Sequence, residues 1–307
     1  MSTLHIYLFG SMHLLKEGDS SDIRLPRGVQ ELFAYLLLEP HRTHSREVLA
    51  GRLWDDFSQD RARYCLNTAL WRLRRIIEPE GLPRGTYLTT TPDGEIGFNS
   101  NSDYWLDIED FKKVVDHVLD SPPDRIRTQD LIEMENHLSL YTGDLLEGMY
   151  IDWILREREH VRMMYLNSLA YLMSCYKSRG EYGKSLTYGL KLLEFDPLRE
   201  EIHREVMRLY QVNGQRALAL RQFEACQKIL LDELGVSPME ETRALYQAIL
   251  MENDSRPATP GRRDHQRLDL ENSLKTLNDV LQSFLDLQGQ LRQTIQQLRD
   301  EMQDEDG

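Results

Sequence analysis

The sequence has few cysteines and no long hydrophobic run. Its three cysteines, Cys65, Cys175 and Cys226, are far apart and odd in number, so they predict neither a disulfide framework nor a metal knuckle. The apolar run at residues 6–10 is too short for a secretion signal, and no segment approaches the roughly 20 apolar residues of a membrane span. We therefore expect a protein of the reducing cytoplasm that has no membrane partner.

Motifs of enzymes and of nucleotide-binding proteins are also missing. No Gly-x-Ser-x-Gly sequence occurs, and Gly183-Lys-Ser185 lacks the upstream glycine that a phosphate-binding loop requires. His41 and His44 are three residues apart, but no further ligand residues stand beside them, which favours a solvated loop over a metal site. We expect neither enzyme activity nor a cofactor.

A net charge of −14 would disfavour a nucleic-acid partner if it were spread evenly along the chain. The first 100 residues, however, carry 12 Lys and Arg against 13 Asp and Glu, so most of the negative charge belongs to the later residues. Within this near-neutral part, a local basic stretch provides what binding to phosphates requires. The stretch contains Arg61, Arg63, Arg72, Arg74 and Arg75.

The first 100 residues show the element order of a winged helix-turn-helix with a small N-terminal sheet. Alternating apolar residues predict strands, helical spacing predicts helices, and Pro92–Gly94 predicts a hairpin turn. Ser45 and Ser58 are the expected N-caps of the second and third helices. In order, the predicted elements are strands at 4–9, 12–16 and 22–25, helices at 26–39, 45–54 and 59–78, and a hairpin of 86–91 and 95–98.

The third predicted helix, Gln59–Glu78, has an apolar face and a mixed face. We expect Ala62, Leu66, Ala69, Leu70, Leu73, Ile76 and Ile77 to be buried. The opposite face carries Arg61, Tyr64, Asn67, Thr68, Trp71, Arg72 and Arg75. Arginine can bind guanine and asparagine can bind adenine through two hydrogen bonds each, so this mixture suits the major groove of DNA. An ordinary solvated helix face would also explain the arginines, but it would explain an exposed Trp71 poorly.

From Tyr104 to about Met251 the sequence predicts almost only helix, with an internal repeat. Tyr176 and Gly180 recur 34 residues later as Tyr210 and Gly214, and small residues follow at equivalent positions. This period is typical of tetratricopeptide repeats, and the helices between residues 131 and 172 are expected to cap the two units. The tyrosines at 176, 182, 188 and 210 could line a concave site for a peptide or small effector, although burial in the core is the stronger interpretation.

Residues 252–264 read as a linker, and residues 265–303 show heptad spacing. Nine of ten seam positions are apolar, which predicts a coiled coil that makes the protein a homo-oligomer. Leu285 and Leu287 widen the apolar face. An amphipathic helix that packs on the repeat domain of the same chain therefore stays an alternative to the coiled coil. The seam residues are Leu270, Leu274, Leu277, Leu281, Phe284, Gln288, Leu291, Ile295, Leu298 and Met302.

Several segments resemble one family of regulators in the same order. The segments 25–38, 53–54 and 70–77 resemble the OmpR-type winged helix of the Streptomyces antibiotic regulatory protein family. The segments 104–111, 140–146, 153–158 and 233–238 resemble the bacterial transcriptional activation domain that follows it. The resemblance covers about residues 4–250. It implies a domain at 1–100 that binds double-stranded promoter DNA and a domain at 104–251 that activates transcription through contact with RNA polymerase.

The resemblance also assigns roles to residues. It implies that Asn67, Thr68 and Arg72 face base edges, whereas Tyr64, Trp71 and Arg74 face phosphates. The wing, near Thr90 and Thr91, would approach the minor groove, although Asp93 and Glu95 at its tip would repel phosphates. Two other hypotheses stay open: an adaptor whose winged helix contacts proteins, and a repressor with the same fold.

Overall fold

The structure is a computed structural model that describes residues 3–16, 18–79, 81–119 and 122–251. It divides into one compact unit, Met1–Ile249, and a second unit, Leu250–Gly307. The predicted linker at 252–264 and the predicted coiled-coil helix at 265–303 lie outside the described residues. Within the described ranges the chain is mainly helical with a small amount of β structure, as predicted. In these ranges no helix combines the length and the apolar character that a membrane span requires.

The predicted order of strands, helices and hairpin in the first 100 residues is confirmed. The segment that follows begins with a strand and continues as helices. The elements are β1 (Leu4–Tyr7), β2 (His13–Lys16), β3 (Asp19–Ile23), α1 (Arg27–Leu38), α2 (Arg46–Leu53), α3 (Gln59–Ile77), β4 (Leu88–Thr90), β5 (Ile96–Phe98), β6 (Tyr104–Leu106), α4 (Asp107–Leu119), α5 (Thr128–Leu138), α6 (Asp152–Ser178), α7 (Tyr182–Phe195), α8 (Glu200–Val212), α9 (Arg216–Leu234) and α10 (Glu240–Met251).

The strand β6 departs from the prediction of an almost entirely helical region after residue 104. It pairs in parallel with β1 and completes a four-stranded sheet of order β3-β2-β1-β6. The residue after β6, Asp107, is 2% exposed, and its Oδ2 accepts hydrogen bonds from the N–H groups of Leu8 and Phe9 at 2.8 and 2.9 Å. This is why β1 ends earlier than predicted. The division between residues 100 and 104 therefore falls inside one compact unit.

Helix starts and turns also differ in detail from the predictions. The Ser45 side chain accepts a hydrogen bond from the Val48 N–H and caps α2, as predicted. Ser58 stands at the N-cap position of α3, but its side chain makes no cap hydrogen bond, so this part of the prediction is wrong. The strand β3 begins at Asp19, three residues before the predicted start at residue 22.

The hairpin of β4 and β5 forms the wing, and the segment before α2 joins it. His44 and Ile96 exchange both backbone hydrogen bonds at 2.9 Å. A Cβ at Gly97 would lie 3.0 Å from the Arg42 carbonyl oxygen, so glycine permits this close approach of the chains. The prediction of a solvated loop holds for the exposed His41 but is wrong for His44, which is 8% exposed because this pairing buries it.

The 34-residue repeat is confirmed by matching backbone geometry. Gly180 and Gly214 both have φ of +74°, a conformation that favours glycine. Immediately after each glycine, a backbone N–H reaches back to the repeated tyrosine: Glu181 to Tyr176 at 2.9 Å and Gln215 to Tyr210 at 2.8 Å. The two helix turns are therefore equivalent, as the period indicates.

Helices α6 to α9 pack in chain order, and small residues lie where they cross. Ser185 and Ala219, at equivalent positions of the repeat, are both fully buried. The capping prediction also holds, since Glu135 of α5 accepts hydrogen bonds from the hydroxyl groups of Tyr176 and Tyr188 at 2.7 and 2.6 Å. Tyr176 is 2% exposed, so its interpretation as a core residue is confirmed.

Candidate nucleic-acid interface

Helix α3 separates its two faces as its sequence predicts. Ala62, Leu66, Ala69, Leu70, Leu73 and Ile77 are buried, and Ile76 is half-buried. Large aromatic groups stand on the other face, where Tyr64 is 72% and Trp71 is 59% exposed. Burying either ring against DNA would remove apolar area from water, so the free surface favours a partner.

The arginines of α3 differ in how firmly the protein itself holds them. Arg61 lies over the Phe57 ring at 4.5 Å, Arg63 lies 3.6 Å from a carboxylate oxygen of Glu47, and Arg75 lies over the Trp71 ring at 5.4 Å. Arg72 is exposed and has no hydrogen-bond or ion-pair partner among the described residues. Its guanidinium group is therefore available to an external acceptor without breaking an internal contact.

Asn67 is paired with a residue that sequence analysis did not select. The guanidinium group of Arg46, the first residue of α2, donates a 2.7 Å hydrogen bond to Asn67 Oδ1. The amide oxygen of Asn67 is therefore occupied, and its Nδ2 group remains as a hydrogen-bond donor for another acceptor. Thr68, the next residue, is half-buried and donates its hydroxyl hydrogen to the Tyr64 carbonyl oxygen at 2.9 Å.

Arg74 is directed towards the wing instead of open solvent. Its guanidinium group lies 3.2 Å from Glu78 Oε2 and donates to Thr90 Oγ1 at 2.9 Å. Glu78 Oε1 accepts the N–H groups of Tyr87 and Leu88 at 2.8 and 2.9 Å, and the Glu78 side chain is only 2% exposed. The end of α3 and the start of β4 are thus held together by one buried carboxylate.

The wing tip is organised by its own hydrogen bonds. Thr91 and Glu95 pair through the backbone at 2.9 Å, and Gly94 adopts a φ of +85°. Glu95 also accepts the hydroxyl hydrogen of Thr43, which keeps its carboxylate at the base of the wing, whereas Asp93 is exposed. The acidic charge at the exposed tip is therefore that of Asp93.

A groove of about 420 Å³ runs between α3, the start of α2 and the wing. Its lining includes four arginines and one carboxylate, and that carboxylate is the one already paired with Arg74. Arg46 and Arg84 were missed by sequence analysis because each stands alone in its own segment. The basic and aromatic lining residues are Arg46, Trp71, Arg74, Arg75 and Arg84.

His44 and Ser185, which belong to the candidate metal and phosphate-loop motifs of the sequence, are both buried. Within the described residues, no group of three or more His, Cys, Asp or Glu side chains could hold a metal ion. Burial lowers the pKa of His44 below its ordinary value of 6.5. Ser185 of the Gly183-Lys-Ser185 sequence is buried and donates to the Met173 carbonyl oxygen at 2.8 Å, so it serves packing.

Comparison with known proteins supports regulation of transcription. Residues 106–250 match the family described as bacterial transcriptional activator domain. Transcriptional regulatory protein MoaR1 of Mycobacterium tuberculosis is 25% identical over 239 residues, which are 74% of this chain and 74% of that protein. The chain is a transcriptional regulator that contains this activator domain. Regulatory protein AfsR of Streptomyces coelicolor is 24% identical over 250 residues, 80% of this regulator but only 24% of AfsR.

The fold of this regulator has also been seen in a solved structure. Mycobacterium tuberculosis EmbR, in complex with a low-affinity phosphopeptide, matches with a TM-score of 0.63 and 16% identity. The match covers 91% of this chain and 72% of the EmbR chain. At this identity the likeness shows the shared fold of winged helix and tetratricopeptide-like helices. MoaR1 and AfsR are both named for regulation, and neither is named for a catalysed reaction.

Proposed function

We propose that this regulator binds promoter DNA with α3 in the major groove and the β4–β5 wing beside the adjacent minor groove. The observation that carries the proposal is the solvent face of α3, where an unpaired Arg72 stands beside an arginine-lined groove. A helix in the major groove reads bases with a few side chains while other cations hold the phosphates. The overall negative charge of the chain does not oppose this, because the basic groups are concentrated on one surface.

Each side chain of the interface receives one role. Arg72 and Asn67 contact base edges, with Thr68 beside them, and Arg46 holds the Asn67 amide in one orientation. Arg74 positions the wing, which brings Thr90 and Thr91 towards the minor groove. The phosphate contacts come from Arg61, Arg63, Tyr64, Trp71, Arg75 and Arg84.

Substitution of Arg72 by alanine tests the base contact. Operator fragments are first selected from a random duplex library with the wild-type protein, and affinity is then measured by gel shift. We expect Arg72→Ala to weaken binding to the selected site by roughly 10- to 100-fold and binding to unrelated duplex much less. Arg125→Ala, which removes an exposed arginine before α5, is the control and should leave both affinities unchanged. Equal loss on both duplexes would show that Arg72 contacts only phosphate.

Arg46 gives a second and separate test of the interface. Because its guanidinium group fixes the Asn67 amide, Arg46→Ala should relax the preference at one base pair of the selected site. Arg75→Ala should instead weaken binding to all sequences and lower the dependence of log affinity on log salt by about one. Identical sequence preferences for wild type and Arg46→Ala would contradict the orienting role.

The helices at residues 106–250 would supply the contact with RNA polymerase, in keeping with the activator domain that they match. In vitro transcription from a promoter with the selected site should increase when the regulator is added. A decrease would identify a repressor with the same fold. The alternative of an adaptor, with its winged helix on a protein, predicts no salt-sensitive gel shift at all.

We also propose a cytoplasmic homo-oligomer with domains at 1–100 and 104–251, a linker at 252–264 and a coiled coil at 265–303. Two winged helices on adjacent half-sites would raise the effective concentration of each for the DNA. Leu281→Lys, at a seam position, should lower the mass of the full chain in sedimentation, whereas Gln282→Lys, the next residue, should not. An unchanged mass for Leu281→Lys would contradict the coiled coil.

A further inference from the structure

The two buried polar side-chain atoms that lack a hydrogen bond within the described residues lie close to one tyrosine. They are His44 Nε2 and Trp153 Nε1. The His44 ring lies 5.0 Å from the Tyr35 ring, and the Trp153 ring meets Tyr35 at 5.4 Å and a right angle of 89°. Leaving a buried N–H without an acceptor costs about 1–3 kcal/mol, so the Trp153 indole N–H, which borders a cavity, is available to an acceptor from outside the chain.

A cavity opens beside these rings, between the winged helix and α6. It has a volume of about 220 Å³ and is lined by Tyr35 and Leu38 of α1, Arg52 of α2, and Trp153 and Arg156 of α6. A second, more open cavity of about 530 Å³ continues from it and shares Arg52, Trp153 and Arg156. Together the two have the size of an ordinary small-molecule site.

The smaller of the two cavities, the inner cavity, is lined by hydrogen-bond donors that have no acceptor within the described residues. Arg52 contacts the Tyr35 ring at 5.4 Å, yet neither Arg52 nor Arg156 has an ion-pair or hydrogen-bond partner among the described residues. The two carboxylates of the inner cavity are already paired: Glu39 with Arg42 at 3.3 Å and Glu157 with Lys112 at 2.7 Å. An anionic group placed here would meet two free guanidinium groups and the indole ring.

The outer cavity adds carboxylates to the shared Arg52 and Arg156. Asp55, Asp56 and Asp152 line it, and none of them forms an ion pair within the described part of the chain. A simple anion would be repelled at this entrance, whereas a molecule that also carries a positive charge would be attracted. The two ends of the site therefore select opposite charges on one ligand.

We propose that these joined cavities bind a small molecule that carries both a carboxylate and an ammonium group, of the class of free amino acids. The carboxylate binds Arg52 and Arg156 in the inner cavity, with the Trp153 indole N–H as a third donor. The ammonium group lies towards Asp55, Asp56 and Asp152, and apolar parts of the ligand pack on the Tyr35 and Trp153 rings. The site is separate from the DNA surface, although α2 carries residues of both.

Thermal unfolding of the full chain tests the proposal without DNA. The standard L-amino acids are screened one at a time at millimolar concentration, and the best is measured by calorimetry. We expect at least one to raise the unfolding midpoint by about 2–4 °C, because a ligand that binds only the folded chain stabilises it. Arg156→Gln should weaken that binding by roughly 10- to 100-fold, because it removes a charge-assisted hydrogen bond. Trp153→Phe should weaken it by a smaller factor, since only the N–H is lost.

Controls separate the proposed ligand class from others. Arg125→Gln, far along the chain, should bind as wild type does. The amine that corresponds to the best amino acid without its carboxylate should not bind, and neither should the N-acetyl derivative or inorganic phosphate. The proposal is overturned if no amino acid stabilises wild type more than the Arg52→Gln Arg156→Gln double variant. It is equally overturned if phosphate binds alone or the amine binds as well as the amino acid.

Discussion

Substitution of Glu78 by glutamine separates the two tasks of this carboxylate at the base of the wing. A glutamine oxygen can still accept the N–H groups of Tyr87 and Leu88, which lie 2.8 and 2.9 Å from Glu78 Oε1. Its NH₂ group, however, replaces Oε2 and faces the Arg74 guanidinium group at about the 3.2 Å of the present ion pair. The glutamine NH₂ group and the Arg74 guanidinium group are both hydrogen-bond donors, so they cannot pair. The substitution therefore removes the ion pair and keeps the two backbone hydrogen bonds.

The expected size of the effect follows from how little water reaches this pair. The side chains of Arg74 and Glu78 are 16% and 2% exposed. Removing one partner of a buried pair costs about 3–5 kcal/mol, and we expect about 2–3 kcal/mol for Glu78→Gln because Arg74 keeps Thr90 and some solvent. Glu78→Ala should cost at least about 2 kcal/mol more, since it also leaves two backbone N–H groups without an acceptor.

Urea unfolding of the full chain, followed by circular dichroism, measures these changes. In a double-mutant cycle with Arg74→Met, the coupling to Glu78→Gln should be about 1–2 kcal/mol. Glu240→Gln provides the control, because Glu240 is 81% exposed in its ion pair with Arg243 and should change stability by no more than about 0.5 kcal/mol. A coupling close to zero between Arg74 and Glu78 would refute the idea that this ion pair holds the wing.

Three further predictions concern packing and pH. Gly189→Ala should destabilise the protein by about 1–2 kcal/mol because its Cβ would lie 2.8 Å from a Val206 methyl. In the same helix, the Cβ of Gly183→Ala would have no neighbouring atom within 4 Å, so this control should be neutral or stabilising. Equal melting temperatures for the two variants would contradict the prediction. Gly97→Ala should weaken DNA binding in gel shifts more than stability, since its Cβ meets a backbone oxygen at 3.0 Å and pushes the wing outward. Burial lowers the pKa of His203, so the unfolded chain binds more protons than the folded chain. The free energy of unfolding should therefore fall as the pH decreases through about 6.5, and it should fall less steeply in His203→Gln. Urea midpoints that do not change with pH would refute this prediction.

The sequence was sufficient wherever a local period decides the structure. The buried face of α3 follows from the 3.6-residue repeat of apolar residues, and the exposure of Tyr64 and Trp71 follows with it. The matching turns at Gly180 and Gly214 follow from the 34-residue period, because both positions need a left-handed backbone. Neither inference requires knowledge of a distant contact.

Contacts between distant residues could not be predicted in this way. Nothing in a single asparagine at position 67 indicates that Arg46 holds its oxygen, and nothing near Glu78 indicates that it binds the start of β4. The local sequence does not predict the strand β6 either. Its three residues form a strand only because they pair with β1, about 100 residues earlier in the chain.

By itself, the amino-acid sequence determined the order of strands and helices, the side of α3 that faces solvent and the repeat of the later helices. These depend on spacing along the chain, and spacing is what a sequence records. Only the tertiary structure decided that Arg74 turns inward while Arg72 stays free, and that Tyr35, Arg52, Trp153 and Arg156 surround one cavity. Those outcomes depend on which segments meet in space, because a charged side chain takes whichever partner the folded chain brings within reach.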